Sequence, residues 1–83
     1  MNIGISIRSI RKERVPHLNQ SEFAKLIGIT QTYLSQIETG AKTPNISVLE
    51  EISKRFEIPL PIIFWFGLEE SDIAEHKKEY FRF

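Results

Sequence analysis

The stretch between Gly28 and Gly40 carries Gln31, Thr32, Ser35, Gln36 and Thr39 at helical spacing. At 100° per residue, Leu34 and Ile37 share one direction and define a buried stripe. Thr32, Ser35, Gln36 and Thr39 turn roughly the opposite way, and Gln31 projects from the exposed first turn. That outward face is short, neutral and made of hydrogen-bonding groups. A Gln amide pairs bidentately with adenine N6 and N7, while Ser and Thr reach either base type or a thymine methyl. Such a face suits the reading of base edges in a major groove, where a long acidic or an apolar side chain obstructs. The competing reading is an ordinary solvated helix face.

Other chemistries find little support in the residues. The chain has no cysteine, which removes disulfide frameworks, zinc knuckles and thiol nucleophiles. His17 lies beside Pro16 in a loop and His76 on an expected last helix, and neither has the helix-spaced His, Asp or Glu neighbours of a metal site. Ser21 and Ser35 are helix-surface residues with no base to activate them, and there is no phosphate-binding glycine loop. Asn45-Ile46-Ser47 matches a glycosylation acceptor by chance. The chain is therefore expected not to be an enzyme and to need neither metal nor cofactor.

The elements that must position the outward face follow from apolar periodicity, which is helical throughout. Ile3, Ile7 and Ile10 fall at i, i+4 and i+7 on a first helix, with Arg8, Arg11 and Lys12 beside or opposite them; Pro16 is expected to stop it. Asn19 and Glu22 have the N-cap and N3 spacing of a capping box for a second helix with Phe23, Ala24 and Ile27 inside. Gly28 suits its left-handed C-terminal position, and Thr30 caps a third helix from Gln31 to about Thr39 that Gly40 ends. Asn45 caps a fourth helix carrying Val48, Leu49, Ile52 and Phe56. Pro61 is acceptable in the first turn of a short fifth helix ending near Gly67. Asp72 and Glu75 match a capping box for a sixth, with Ile73, Lys77, Tyr80 and Phe81 along one face. Two short helices joined by a tight glycine turn form a helix-turn-helix.

Gln20, Ala24, Gly28, Leu34 and Ile37 stand at relative positions 1, 5, 9, 15 and 18. The small Ala24 lets the second helix cross closely over the third. With Leu18-Asn19-Gln20-Ser21-Glu22-Phe23-Ala24, Gly28-Ile29-Thr30-Gln31, Leu34-Ser35-Gln36-Ile37-Glu38-Thr39-Gly40, Pro44 and Leu49, the sequence resembles the phage-repressor and Cro group of helix-turn-helix proteins, the XRE family. The resemblance covers about residues 3–66. Val15-Pro16-His17 makes the first connection about two residues longer than the family's, and residues 67–83 lie outside its pattern. It implies an all-α, lambda-repressor-like fold of five helices, and double-stranded DNA as partner.

On that resemblance Gln31, Thr32 and Gln36 read base edges, with Ser35 on the same face. Gln20 clamps a phosphate at the start of the second helix, where N–H groups and dipole favour an anion. Lys42, with Thr39 and Asn45 nearby, grips the backbone just past the third helix, and Arg8 and Lys12 add phosphate contacts. Tyr33 flanks the buried stripe: a ring with its hydroxyl on a phosphate and a purely packed ring weigh about equally. By helical arithmetic Glu38 leans toward the core, and the family pairs a glutamate there with an arginine at the position of Arg11. That pair is expected to be structural.

The 83 residues balance 11 Lys and Arg against 11 Asp and Glu, and 41% are apolar. The length holds one small domain. The longest apolar run, Ile58 to Leu68, is about half a membrane span and contains two prolines and a glycine. With no signal-peptide pattern at Met1-Asn2-Ile3-Gly4, a cytoplasmic protein is expected. Zero net charge argues at first against a polyanion partner. Through Asn45, however, six cations face three anions, and from Ile46 onward five face eight. A basic front can attract a polyanion whatever the total. The acidic Glu69, Glu70 and Asp72 must then stay away from the outward face of the third helix.

Six of the nine aromatic residues, Phe64, Trp65, Phe66, Tyr80, Phe81 and Phe83, fall in the last twenty positions. The expected core of Ile7, Ile10, Phe23, Ile27, Leu34, Ile37, Leu49, Ile52, Phe56 and Ile63 does not need them. Left exposed, they make a large apolar patch. One reading folds the sixth helix back over a monomer. The favoured one is a homodimer through Leu60, Phe64, Trp65, Phe66, Ile73, Tyr80 and Phe81, placing two recognition helices about 34 Å apart on a pseudo-palindrome. Residues 1–66 thus form the DNA-binding domain and 67–83 an extension for dimerisation or core completion. The alternative function is a protein-interaction module whose aromatic end holds a toxin, polymerase or regulator subunit.

Overall fold

The apolar stripes converge on one core in a computed structural model that describes residues 1–13, 18–69 and 72. The helices are α1 (Ile3–Glu13), α2 (Gln20–Ile27), α3 (Gln31–Glu38), α4 (Ile46–Phe56) and α5 (Leu60–Phe66), with no strand among the described residues. The expected sixth helix and the role of Pro16 lie outside the described residues. No helix among the described residues is long and apolar enough to cross a membrane.

Capping sets the boundaries. The Asn19 side chain accepts from the Glu22 N–H at 2.8 Å and the Glu22 carboxylate from the Asn19 N–H at 3.2 Å, closing the capping box. Gly28 ends α2 at φ 78°, and Thr30 and Asn45 accept from the N–H of Tyr33 and Val48 at 3.0 Å each. The end of α4 lacks the glycine that usually marks such a site: Glu57 takes the left-handed conformation at φ 54°. Pro59, two residues on, is the residue type that marks the stop.

Around the core, α1 packs on α3 and α5, α2 on α3 and α4, and α4 on α5. Nine of the ten expected core residues are buried, joined by Ala24 and Val48. Phe56 is half-buried and its ring stacks on Phe23, centroids 5.1 Å apart and 6° from parallel. Two glycines allow the backbone to close at the N-terminal side of α1. A Cβ on Gly4 meets the Ile37 carbonyl oxygen well inside van der Waals contact, and one on Gly67 comes within 2.8 Å of the Asn2 carbonyl oxygen. Across the same seam the buried Ser6 hydroxyl donates to the Ile63 carbonyl at 2.6 Å, and the Asn2 N–H donates to the Gly67 carbonyl at 2.6 Å. The start of α1 is thereby held against the end of α3 and along α5.

Candidate nucleic-acid interface

The tight turn fixes the angle at which α3 is presented. Gly28 and Ile29 donate their N–H groups back to the Ala24 carbonyl, and Thr30 begins the next helix at once. Leu34 and Ile37 are buried beneath α3, so their opposite face turns outward. Gln31 and Thr32 are exposed there, and Ser35 and Gln36 half-exposed. Among the described residues, nothing hydrogen-bonds the side chains of these four. Their donors and acceptors are free to meet a ligand without first breaking an internal contact.

Just past α3 the chain turns back on itself. The Gln36 carbonyl accepts from the Lys42 N–H at 3.1 Å and from the Thr39 hydroxyl at 3.3 Å. This fold-back leaves Lys42 exposed at the C-terminal end of α3, while Thr39 spends its proton on the helix. Asn45 is similarly committed: its Oδ1 accepts from the Val48 N–H at 3.0 Å and from the Ser47 hydroxyl at 2.6 Å. Only its amide nitrogen is left for a phosphate. Tyr33 is half-buried against the core and borders a groove with Asn45 and Ser47, a setting that serves either of the two readings of its ring. Arg8 and Lys12 are exposed one turn apart on α1. Among the described residues, Arg8, Lys12 and Lys42 have no ion-pair partner.

Beneath this surface lies an ionic knot. Arg11 Nε and Nη2 donate to the two Glu38 oxygens at 2.8 Å each, and Nη1 donates to the Leu18 carbonyl at 3.1 Å. The side chains are 9% and 3% exposed. The hydrogen bond that Arg11 donates to Glu38, more than the charge of Glu38, raises the Arg11 pKa above its ordinary value, so the guanidinium stays charged. Gln20 joins the same carboxylate, its Nε2 donating to Glu38 Oε1 at 3.2 Å. Sequence reasoning assigned this amide to a phosphate and missed the bond to Glu38. One amide hydrogen is engaged inward, and the carboxylate fixes which way the other points. No residue type or spacing gives this contact, because it depends on how α2 and α3 face each other across the turn.

Asp72 accepts from the Met1 ammonium at 2.7 Å and from the Glu69 N–H at 2.9 Å, and no hydrogen bond or ion pair among the described residues joins Glu69 or Asp72 to α3. Glu70 lies outside the described residues. The ammonium lowers the Asp72 pKa, chiefly through that hydrogen bond, and the carboxylate raises the pKa of the amine.

Of the side chains assigned to a dimer contact, Leu60 and Phe64 are half-buried against their own core, whereas Trp65 and Phe66 are 47% and 54% exposed. Ile62, not foreseen, is exposed beside them. Phe66 also borders an apolar groove of about 480 Å3 with Ser9, Ile10, Glu13 and Ile58. Ile73, Tyr80 and Phe81 lie outside the described residues. Among the described residues no cluster of His, Asp or Glu has the geometry of a metal site.

A family model described as helix-turn-helix matches residues 7–63. The chain is 38% identical over 61 residues to the ImmF control region 10 kDa protein of Bacillus phage phi105, covering 74% of this chain and 66% of that protein. It is 34% identical over 64 residues to Control protein C.MunI of a Mycoplasma species, covering 77% and 85%. With Antitoxin PezA of Streptococcus pneumoniae serotype 4 it shares 34% identity over 56 residues, covering 68% of this chain but 34% of the antitoxin. The chain thus spans just under two thirds of the phage relative and about a third of the antitoxin. No solved structure matches.

Proposed function

The chain belongs to the helix-turn-helix family of DNA-binding regulators, and from that premise we propose that it is a sequence-specific transcriptional regulator acting as a homodimer on a pseudo-palindromic operator. The observation that carries this reading is the outward face of α3. Gln31, Thr32, Ser35 and Gln36 offer unengaged polar groups above the buried Leu34 and Ile37, and Arg8 and Lys12 on α1 and Lys42 just past α3 are exposed cations. The neutral side chains supply discrimination between bases, and the cations supply attraction to phosphates. The formal charge of zero is no obstacle, because six cations face three anions through Asn45, the part of the chain that carries α3.

Dimerisation follows from the size of that face. One eight-residue helix touches too few base pairs to define a site, and a two-fold pair reads two half-sites about 34 Å apart. The exposed Ile62, Trp65 and Phe66 on α5 supply an apolar surface for the partner copy. The relative named as a control protein is matched over most of its length, which supports a regulatory role for this domain. In this reading the protein works in the cytoplasm, without catalysis, cofactor or metal.

Selection of bound sites from a random duplex pool tests the proposal. An enriched inverted repeat is expected, with affinity falling steeply between about 50 and 200 mM salt. A folded sample that enriches no motif sinks it. A second reading, a protein-interaction module for a toxin, polymerase or regulator subunit, rests on the exposed α5 side chains and the relative named as an antitoxin. It is distinguished by partner capture that persists at high salt in the absence of DNA.

A further inference from the structure

Beyond α5 the chain is pinned to the start of α1. The Asn2 N–H donates to the Gly67 carbonyl at 2.6 Å, and the Met1 ammonium meets both Asp72 oxygens at 2.7 Å. Asp72 closes a turn with Glu69: its Oδ2 accepts from the Glu69 N–H and its own N–H donates to the Glu69 carbonyl, at 2.9 Å each. Residues 73–83, which lie outside the described residues, therefore set out from the N-terminal end of α1.

Further along α1 lies the apolar groove of about 480 Å3 lined by Ser9, Ile10, Glu13, Ile58 and Phe66. Ile5, one turn before Ser9, is 52% exposed and continues the apolar surface toward Met1. Among the described residues that line the groove, Glu13 carries the only charge, and it is exposed with no ion-pair partner among the described residues. Residues 73–83 complement these features. Ile73, Lys77, Tyr80 and Phe81 share one helical face, whose single charge, Lys77, is opposite in sign to Glu13. The length also fits: 11 residues of helix rise about 16 Å, the same as the 11 residues of α1, so a segment that starts beside Met1 reaches the level of Glu13. A segment tethered this close competes for the groove at an effective concentration of about a millimolar, well above that of a second copy in dilute solution.

We propose that residues 73–83 dock as a helix in the α1–α5 groove of their own chain, with the face of Ile73, Tyr80 and Phe81 against Ile10, Ile58 and Phe66 and with Lys77 toward Glu13. The segment favoured from sequence for dimerisation then completes its own domain. Trp65, 47% exposed and not among the groove-lining residues, is left for a partner copy. The proposal is independent of DNA binding and stands or falls apart from it.

The chain has no cysteine, so engineered pairs report the placement directly. In the full chain under mild oxidation, Ser9→Cys with Lys77→Cys should form a disulfide within one molecule, seen as a faster-migrating monomer on a non-reducing gel. Arg8→Cys with Lys77→Cys, turned away from the groove on α1, should cross-link about tenfold more slowly, since a disulfide demands facing Cβ atoms. Circular dichroism checks that each pair is folded. As an independent readout, Phe81→Ser should lower the Tm by about 5 °C or more, and Phe83→Ser, off the docking face, by much less. A disulfide that joins two molecules places the segment on a second copy and overturns the proposal. A Ser9 pair that cross-links no faster than the Arg8 pair overturns it as well, and so does an equal Tm for the two phenylalanine variants.

Discussion

Arg11 on α1 and Glu38 at the end of α3 meet in a two-pronged ion pair, Nε to Oε2 and Nη2 to Oε1 both at 2.8 Å. The third nitrogen reaches the Leu18 carbonyl, so one guanidinium ties α1, α3 and the approach to α2. Removing one partner leaves a buried, unpaired charge. Arg11→Ala or Glu38→Ala should destabilise the fold by about 3 kcal/mol, read from urea unfolding. The double change Arg11→Met with Glu38→Leu should recover most of that loss, because it removes the charges together. A loss of DNA binding in the single variants then reports unfolding, not a broken contact to DNA.

The neutral and charged backbone contacts should separate by salt dependence. Lys42→Ala should weaken binding to all sequences and lower the slope of log affinity against log salt by about one. Gln20→Ala should also weaken all sequences alike but leave the slope unchanged, since an uncharged amide displaces no counterion. Titrations by fluorescence anisotropy at several salt concentrations check both.

Gly4 should tolerate no side chain. The Cβ of Gly4→Ala runs into the Ile37 carbonyl oxygen, a backbone atom that moves only if α1 and α3 separate. A loss of about 1–3 kcal/mol in thermal or urea unfolding is expected. Gly28→Ala meets no atom within 4 Å but forces an alanine into φ 78°, at about 1–2 kcal/mol. The two costs have different origins, crowding in one case and backbone strain in the other.

Trp65→Ser with Phe66→Ser should shift the protein toward monomer in sedimentation experiments and leave its helicity intact, since both residues are about half exposed. Binding to a single half-site should persist, while affinity for the full inverted repeat should fall. Phe64→Ser, by contrast, should destabilise the monomer itself, because that ring packs on its own core.

Much of the architecture was legible because it depends on local chemistry. Asn19 with Glu22, Gly28, Thr30 and Asn45 each satisfy backbone groups within a few residues of themselves, so their types and spacing mark helix ends before any packing is known. Apolar periodicity named most of the core for the same reason. The left-handed turn at Glu57 was illegible, since Pro59 marks a stop nearby but no glycine marks the residue that turns. The faces of α5 were likewise hidden. Every residue of Leu60–Phe66 except Pro61 is a large apolar side chain, so periodicity cannot distinguish the buried Ile63 and half-buried Phe64 from the exposed Ile62, Trp65 and Phe66.

The sequence by itself determined the five helices, the tight turn between α2 and α3, and the polar face of α3, because each rests on interactions within one or two turns of chain. Tertiary structure alone decided three other matters. It committed the Gln20 amide and the Glu38 carboxylate to each other across 18 residues. It pressed Gly4 against Ile37, and it left Trp65 rather than Phe64 facing outward. All three depend on where distant helices come to rest, and that follows from the summed packing of the core, which no short window of residues contains.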